Sequence, residues 1–86
     1  MAEKAEFSHL VVVLAAEALR SMGLVKDPET GKTVKNLESA QFAIDMLDIL
    51  AEKTKGNLSK EEEGFLAATL AELKLKFVEV KKGEER

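Results

Sequence analysis

The sequence predicts an all-α fold, either a three-helix bundle or a helical hairpin with an N-terminal helix beside it. Apolar residues recur at three- and four-residue spacing in three segments, which is the repeat of an α-helix. Residues that cap helices precede these segments, and glycines follow two of them. The composition is 45% hydrophobic and 34% charged, with four Phe and no Tyr or Trp, which is typical of helical bundles with charged surfaces. We expect one helical domain over residues 1–86, with helices near 8–22, 37–54 and 60–80 and a flexible tail at 81–86.

The size of the chain makes oligomerisation an expectation. A chain of 86 residues buries only about 60–65% of its unfolded surface, so that a core of this size is marginal by itself. The sequence has no cysteine, which removes disulfides and thiolate zinc sites as sources of stability and fits a cytoplasmic setting. Self-association is the remaining way to bury more apolar surface.

Charge and hydropathy argue against nucleic-acid and membrane partners. The net charge is −3 and the sequence pI is about 5.2, whereas nucleic-acid binding depends on clustered Lys and Arg. The apolar run Leu10–Ala16 is too short to span a bilayer, and Glu17 and Arg20 interrupt its continuation. We expect no secretion signal, because no small-residue cleavage pattern follows that run.

The first helix is predicted between a capping Ser8 and Gly23. Its valine-rich part would also suit a short buried strand, but no turn signal occurs before Gly23, which favours the helix. Two adjoining faces of this helix are apolar, and its remaining strip includes Val13 and Ala16. A monomer would not be expected to leave such a strip in water.

The connection over residues 24–35 contains a turn at Asp27–Gly31, where Pro28 fixes one backbone dihedral. Val25 and Val34 flank the turn, so that a short hairpin is possible, although an ordered loop is favoured. We interpret the connection as a spacer that allows the second helix to return along the first, in preference to a functional loop.

The second helix is predicted to start at Asn36, whose side chain can cap it, and to end before Gly56. Glu38 in its first turn complements the helix dipole. Two apolar stripes run along this helix, so it needs neighbours on two sides and is predicted to be the middle helix. The first stripe contains Leu37, Ala40, Ile44, Leu47 and Ala51, and the second contains Phe42, Met46 and Ile49.

The third helix starts with a predicted capping box, in which Ser59 and Glu62 exchange hydrogen bonds. Its apolar residues keep the spacing of coiled-coil packing: Leu66, Leu70, Leu73, Phe77 and Val80. Across the three helices we predict a core of Leu14, Leu19, Ile44, Leu47, Leu50, Leu66, Leu70 and Leu73.

Several short motifs occur between Phe7 and Val80: Gly23-Leu24-Val25, Asp27–Gly31, Leu37-Glu38, Ile44-Asp45 and the EKTKGNLS block at Glu52–Ser59. Together they resemble one bacterial family of small helical proteins, a domain-of-unknown-function family. The family pattern has proline where Lys60 stands and tyrosine where Phe77 stands. The first difference affects helix initiation, and the second argues against a role that requires a phenol. The resemblance implies an all-helical fold and a bacterial, cytoplasmic setting, and it implies no activity.

The acidic line of the second helix is the best candidate for a metal or ligand site. Asp45, Asp48 and Glu52 lie on one face with Gln41, and carboxylates on bundle helices can hold metals. The Glu-x-x-His pairs of di-iron bundles are missing from the sequence, however, so a solvated face is favoured. Because these like charges repel at helical spacing, we expect a basic group, such as Arg20, Lys74 or Lys76, to lie over them.

Two further polar features are weaker candidates. His9 could act as a base or ligand, but the sequence shows no nucleophile or acidic partner for it. Lys53–Asn57 resembles a phosphate loop only superficially, since it ends a helix and lacks the Walker spacing, and a partner contact by Lys55 and Asn57 is the alternative. We therefore predict no catalytic, cofactor-binding or metal-binding residue.

The function that the sequence favours is a self-associating interaction or scaffold module, in the simplest case a homodimer, and not an enzyme. We place the interface at or near Val12, Val13, Ala16 and Phe42, the apolar residues least needed to close a three-helix core. A different protein partner for the same surface is one alternative. A ligand- or metal-binding bundle that uses the acidic line is the other.

Overall fold

The computed structural model describes residues 4–84 and contains three helices in this part of the chain. They are α1 (Phe7–Ser21), α2 (Leu37–Lys53) and α3 (Lys60–Glu84), and no β-strand occurs among the described residues. The all-α prediction is confirmed. Residues 10–14, for which a buried strand was the alternative, lie inside α1.

Local hydrogen bonds explain where the helices begin. The Ser39 amide donates to Asn36 Oδ1 at 3.1 Å, so Asn36 caps α2 as predicted. At the start of α3 the Glu62 amide donates to Ser59 Oγ at 3.1 Å and the Ser59 amide donates to Glu62 Oε1 at 2.9 Å, which confirms the capping box. The N-cap of α1 is Glu6 and not Ser8. The Glu6 amide donates a hydrogen bond to Nδ1 of His9 at 3.0 Å, which closes a capping box at this position.

The ends of the helices differ from the prediction at one place. Gly23 and Gly56 follow α1 and α2 with φ of 80° and 85°, the left-handed conformation that glycine adopts at low cost. The third helix was predicted to end at Val80, but it continues to Glu84. Residues 81–84 are therefore helical, since Lys81 and Lys82 favour the negative end of the helix dipole and one exposed Gly83 does not stop the helix. Residues 85–86 of the predicted tail lie outside the described part.

The connection between α1 and α2 is an ordered loop with a single antiparallel bridge, between Met22 and Lys35. The Asn36 amide donates to the Ser21 carbonyl at 2.7 Å, which holds the two ends of the loop together. At its tip the Asp27 amide donates to the Lys32 carbonyl at 2.8 Å. These contacts bring the chain back so that α2 runs antiparallel to α1.

Each helix packs against the other two, so of the two predicted architectures the chain adopts the three-helix bundle. The buried core consists of Val11, Ala18, Met22, Ala40, Ala43, Ile44, Leu47, Leu66, Leu70 and Leu73. Five of the eight predicted core residues are among them, whereas Leu14, Leu19 and Leu50 are partly buried at its edge. Three of the core residues are alanines, whose small side chains permit close approach of the helices that carry them.

Candidate functional site

The most prominent surface feature is a group of apolar side chains along the seam between α1 and α2, hereafter the α1/α2 apolar surface. It consists of Leu10, Val13, Leu14, Phe42, Met46 and Ile49. Four of these are large side chains in contact with water: Leu10 is 47% exposed, Val13 64%, Phe42 64% and Ile49 58%. Isolated exposed apolar residues are ordinary, but a contiguous group is typical of an interaction site.

The antiparallel packing of α1 on α2 makes this surface continuous. Leu10 and Leu14 line a shallow groove of about 380 Å³ together with Met46 and Ile49. Met46 also lines the next depression along the seam, of about 410 Å³, which contains Phe42 and Glu17. The helical repeat places Val13 beside Leu10 and Leu14 on the outer side of the seam. The surface therefore follows α2 from Phe42 to Ile49, about two helical turns.

Charged residues border the two ends of this surface with opposite sign. Lys53 lies at the end that contains Leu10. Glu17 and Glu38 lie at the other end, beside Phe42. Glu17 forms an ion pair with Arg20, whereas within the described residues Glu38 and Lys53 have no ion-pair partner. Lys53 at one end and Glu38 at the other are thus the charges of this border that have no ion-pair partner among the described residues.

The structure divides the four residues that were predicted to lie at an interface. All four are exposed, as predicted. Val13 and Phe42 belong to the α1/α2 apolar surface. Ala16 follows Val13 by three residues and adjoins this surface at its outer edge, whereas Val12 lies farther round α1. The second apolar stripe of α2 was visible in the sequence, but the membership of Leu10 depended on which side of α1 meets α2.

Two of the three carboxylates of the acidic line of α2, Asp45 and Asp48, make side-chain contacts within the chain. Asp48 Oδ1 accepts from Lys74 Nζ at 3.0 Å, so Lys74 does lie over this line, as expected for one of three basic residues. Asp45 Oδ1 accepts from Gln41 Nε2 at 2.8 Å. Arg20 and Lys76 pair instead with Glu17 and Glu72. Between residues 4 and 84 no three His, Cys, Asp or Glu side chains come together in a way that could hold a metal ion.

The other polar candidates have structural roles. His9 accepts the Glu6 amide and so completes the first turn of α1. The segment 53–57 is the end of α2, where Thr54 Oγ1 donates to the Leu50 carbonyl at 2.7 Å and Gly56 takes a positive φ. This agrees with its interpretation as a helix end. A contact of Lys55 or Asn57 with a partner stays a prediction.

A second groove, of about 530 Å³, lies between α2 and the C-terminal half of α3. Ile44, Phe77 and Val78 form its apolar part, and three lysines, Lys74, Lys81 and Lys82, line its edge. Such a groove could hold an apolar chain that ends in an anionic group. The sequence did not indicate this groove, because Lys81 and Lys82 were predicted to lie in a flexible tail and instead belong to α3.

Comparisons with known proteins give a family and no activity. The model of a family described as "Domain of unknown function (DUF1844)" matches residues 4–79. No curated protein and no solved structure matches the chain. Among the described helices, none is both long enough and apolar enough to cross a membrane.

Proposed function

We propose that this chain, which belongs to the DUF1844 family, is a self-associating interaction or scaffold module that forms a homodimer through the α1/α2 apolar surface. The observation that supports the proposal is the continuous exposure of large apolar side chains on α1 and α2. Water in contact with these side chains is released when two such surfaces meet, which favours association.

A second copy of the chain is the simplest occupant of this surface. A two-fold dimer needs only one self-complementary surface, and it is the most common closed assembly. The α1/α2 apolar surface carries a basic residue at one end and acidic residues at the other, so that two copies can match both their apolar centres and their charged ends.

Sedimentation equilibrium at micromolar concentration tests the proposal. We expect a species of twice the 9.4 kDa chain mass. Val13→Glu places a charge within the apolar surface and should give a helical monomer, because a buried unpaired carboxylate is strongly unfavourable. The matched control is Leu75→Glu, at a side chain that is 62% exposed on α3 and outside this surface, and it should remain a dimer. A parent protein that sediments as a single 9.4 kDa species, or equal dissociation by both variants, would contradict the proposal.

The alternative hypothesis of a metal- or ligand-binding bundle has less support. A metal or ligand on the acidic line would have to compete with the contacts of Lys74 to Asp48 and of Gln41 to Asp45. Stoichiometric metal in the purified protein would favour this alternative.

The proposal includes no catalysis and no nucleic-acid partner, consistent with the net charge of −3. We also propose a cytoplasmic, bacterial setting, which the absence of cysteine and the family resemblance support.

A further inference from the structure

We infer that the homodimer is antiparallel, with α2 of one protomer lying along α2 of its partner in the opposite direction. In this arrangement Phe42 faces Ile49 of the partner subunit, and Glu38 faces Lys53 of the partner subunit. The inference rests on the proposed function, since it requires self-association through the α1/α2 apolar surface.

The spacing of residues along α2 supports one register. Glu38, Phe42, Ile49 and Lys53 follow one another at four, seven and four residues, so they share one stripe of the helix. The pair Phe42 and Ile49 has the same midpoint as the pair Glu38 and Lys53, between residues 45 and 46. A two-fold axis perpendicular to α2 at this midpoint therefore aligns the apolar pair and the charged pair together. With a rise of about 1.5 Å per residue, the two charges lie about 22 Å apart on each helix.

The stripe on the first helix is centred at the same height, although it pairs Leu10 with Glu17 of the partner subunit and so lacks the chemical match of α2. Leu10 and Glu17 have their midpoint between Val13 and Leu14. Leu14 lies beside Met46 in one groove, so the midpoint of the stripe on α1 is level with that of α2 to within about one residue. A single axis can therefore serve both helices, with α1 along α1 of the partner subunit and Val13 next to the axis.

Charge distinguishes this arrangement from the other two-fold packing of the same surface. If the axis ran parallel to the helices, Lys53 would lie at the same end of the dimer as Lys53 of the partner subunit. Glu17 and Glu38 would likewise lie at the same end as Glu17 and Glu38 of the partner subunit. Like charges brought together at an interface disfavour that orientation, whereas opposite charges favour the antiparallel one. Burial of the apolar side chains favours association, and the charged ends favour the antiparallel orientation over the parallel one.

Charge reversal tests the direction. Lys53→Glu and Glu38→Lys are prepared singly and combined in one chain, and dimer dissociation constants are measured by sedimentation equilibrium at low and high salt. Each single variant should weaken the homodimer about tenfold or more, because two ion pairs per dimer become like-charge contacts. The combined variant should recover the parent affinity, and a mixture of the two single variants should form a heterodimer. These differences should shrink at high salt.

The control is Lys82→Glu, which makes the same change in net charge on α3 and should leave the dimer unchanged. Circular dichroism of each variant shows that the helices are retained. Unchanged affinity in both single variants, or tight association of the combined variant with the parent chain, would overturn the antiparallel arrangement while leaving the homodimer intact. A monomeric parent protein would instead refute the proposed function itself.

Discussion

Replacement of Leu47 by alanine tests the packing of the bundle most directly. Leu47 is 0% exposed and belongs to the core formed by all three helices. The change removes three carbon atoms, and their loss from an apolar environment costs about 2.4 kcal/mol at about 0.8 kcal/mol each. A residual cavity of roughly 50 Å³ adds about 1.2 kcal/mol. We therefore expect the free energy of unfolding to fall by about 3.5 kcal/mol.

The measurement is denaturant unfolding followed by circular dichroism. All samples are compared at one protein concentration, because the stability of a self-associating protein depends on it. A domain of 86 residues has a total stability of about 4–13 kcal/mol, so the loss is a large fraction of it. The corresponding fall in melting temperature is about 15–25 °C.

Leu75→Ala is the matched control, because it makes the same chemical change at a side chain that is 62% exposed. It should cost less than about 1 kcal/mol, since most of the removed surface is already in water. If Leu47→Ala costs less than about 0.5 kcal/mol, or no more than the control, then Leu47 is not at the centre of the core and the reasoning is refuted.

Three smaller effects follow from local geometry, each measured by the same unfolding assay. Ser59→Ala should destabilise by about 1 kcal/mol through loss of the cap of α3, and an unchanged transition midpoint with the same slope would show that this cap adds nothing. Gly56→Ala should cost about 1–2 kcal/mol, because the φ of Gly56 is 85°. Gly64→Ala should instead stabilise the protein by up to about 1 kcal/mol, since a Cβ there meets no atom within 4 Å. Equal changes in the free energy of unfolding for the two variants would contradict this difference. A double-mutant cycle on Asp48 and Lys74 should give about 0.2–1 kcal/mol, as expected for an exposed pair, and a coupling of several kcal/mol would contradict their exposure.

The sequence by itself determined the helical fold and most helix boundaries. Asn36, Ser59 and Gly56 act within three or four residues of their own positions, through cap hydrogen bonds and a left-handed backbone. Such signals do not depend on the rest of the chain, so they could be read correctly without it. Apolar periodicity likewise indicated that α2 needs neighbours on two sides, and α2 does pack against both α1 and α3.

Tertiary structure decided which of the apolar faces became the core and which remained in water. From α1 the predicted core named Leu14 and Leu19, which are only partly buried, and omitted Val11, which is fully buried. Which face is buried depends on how the three helices pack, and residues distant in sequence, among them Ala18, Ala40 and Ala43, share that core. The pairing of Lys74 with Asp48 and the lysine-lined groove of α3 have the same origin. Local propensity is a property of neighbouring residues, whereas exposure is a property of the whole packed bundle, and only the assembled helices determine it.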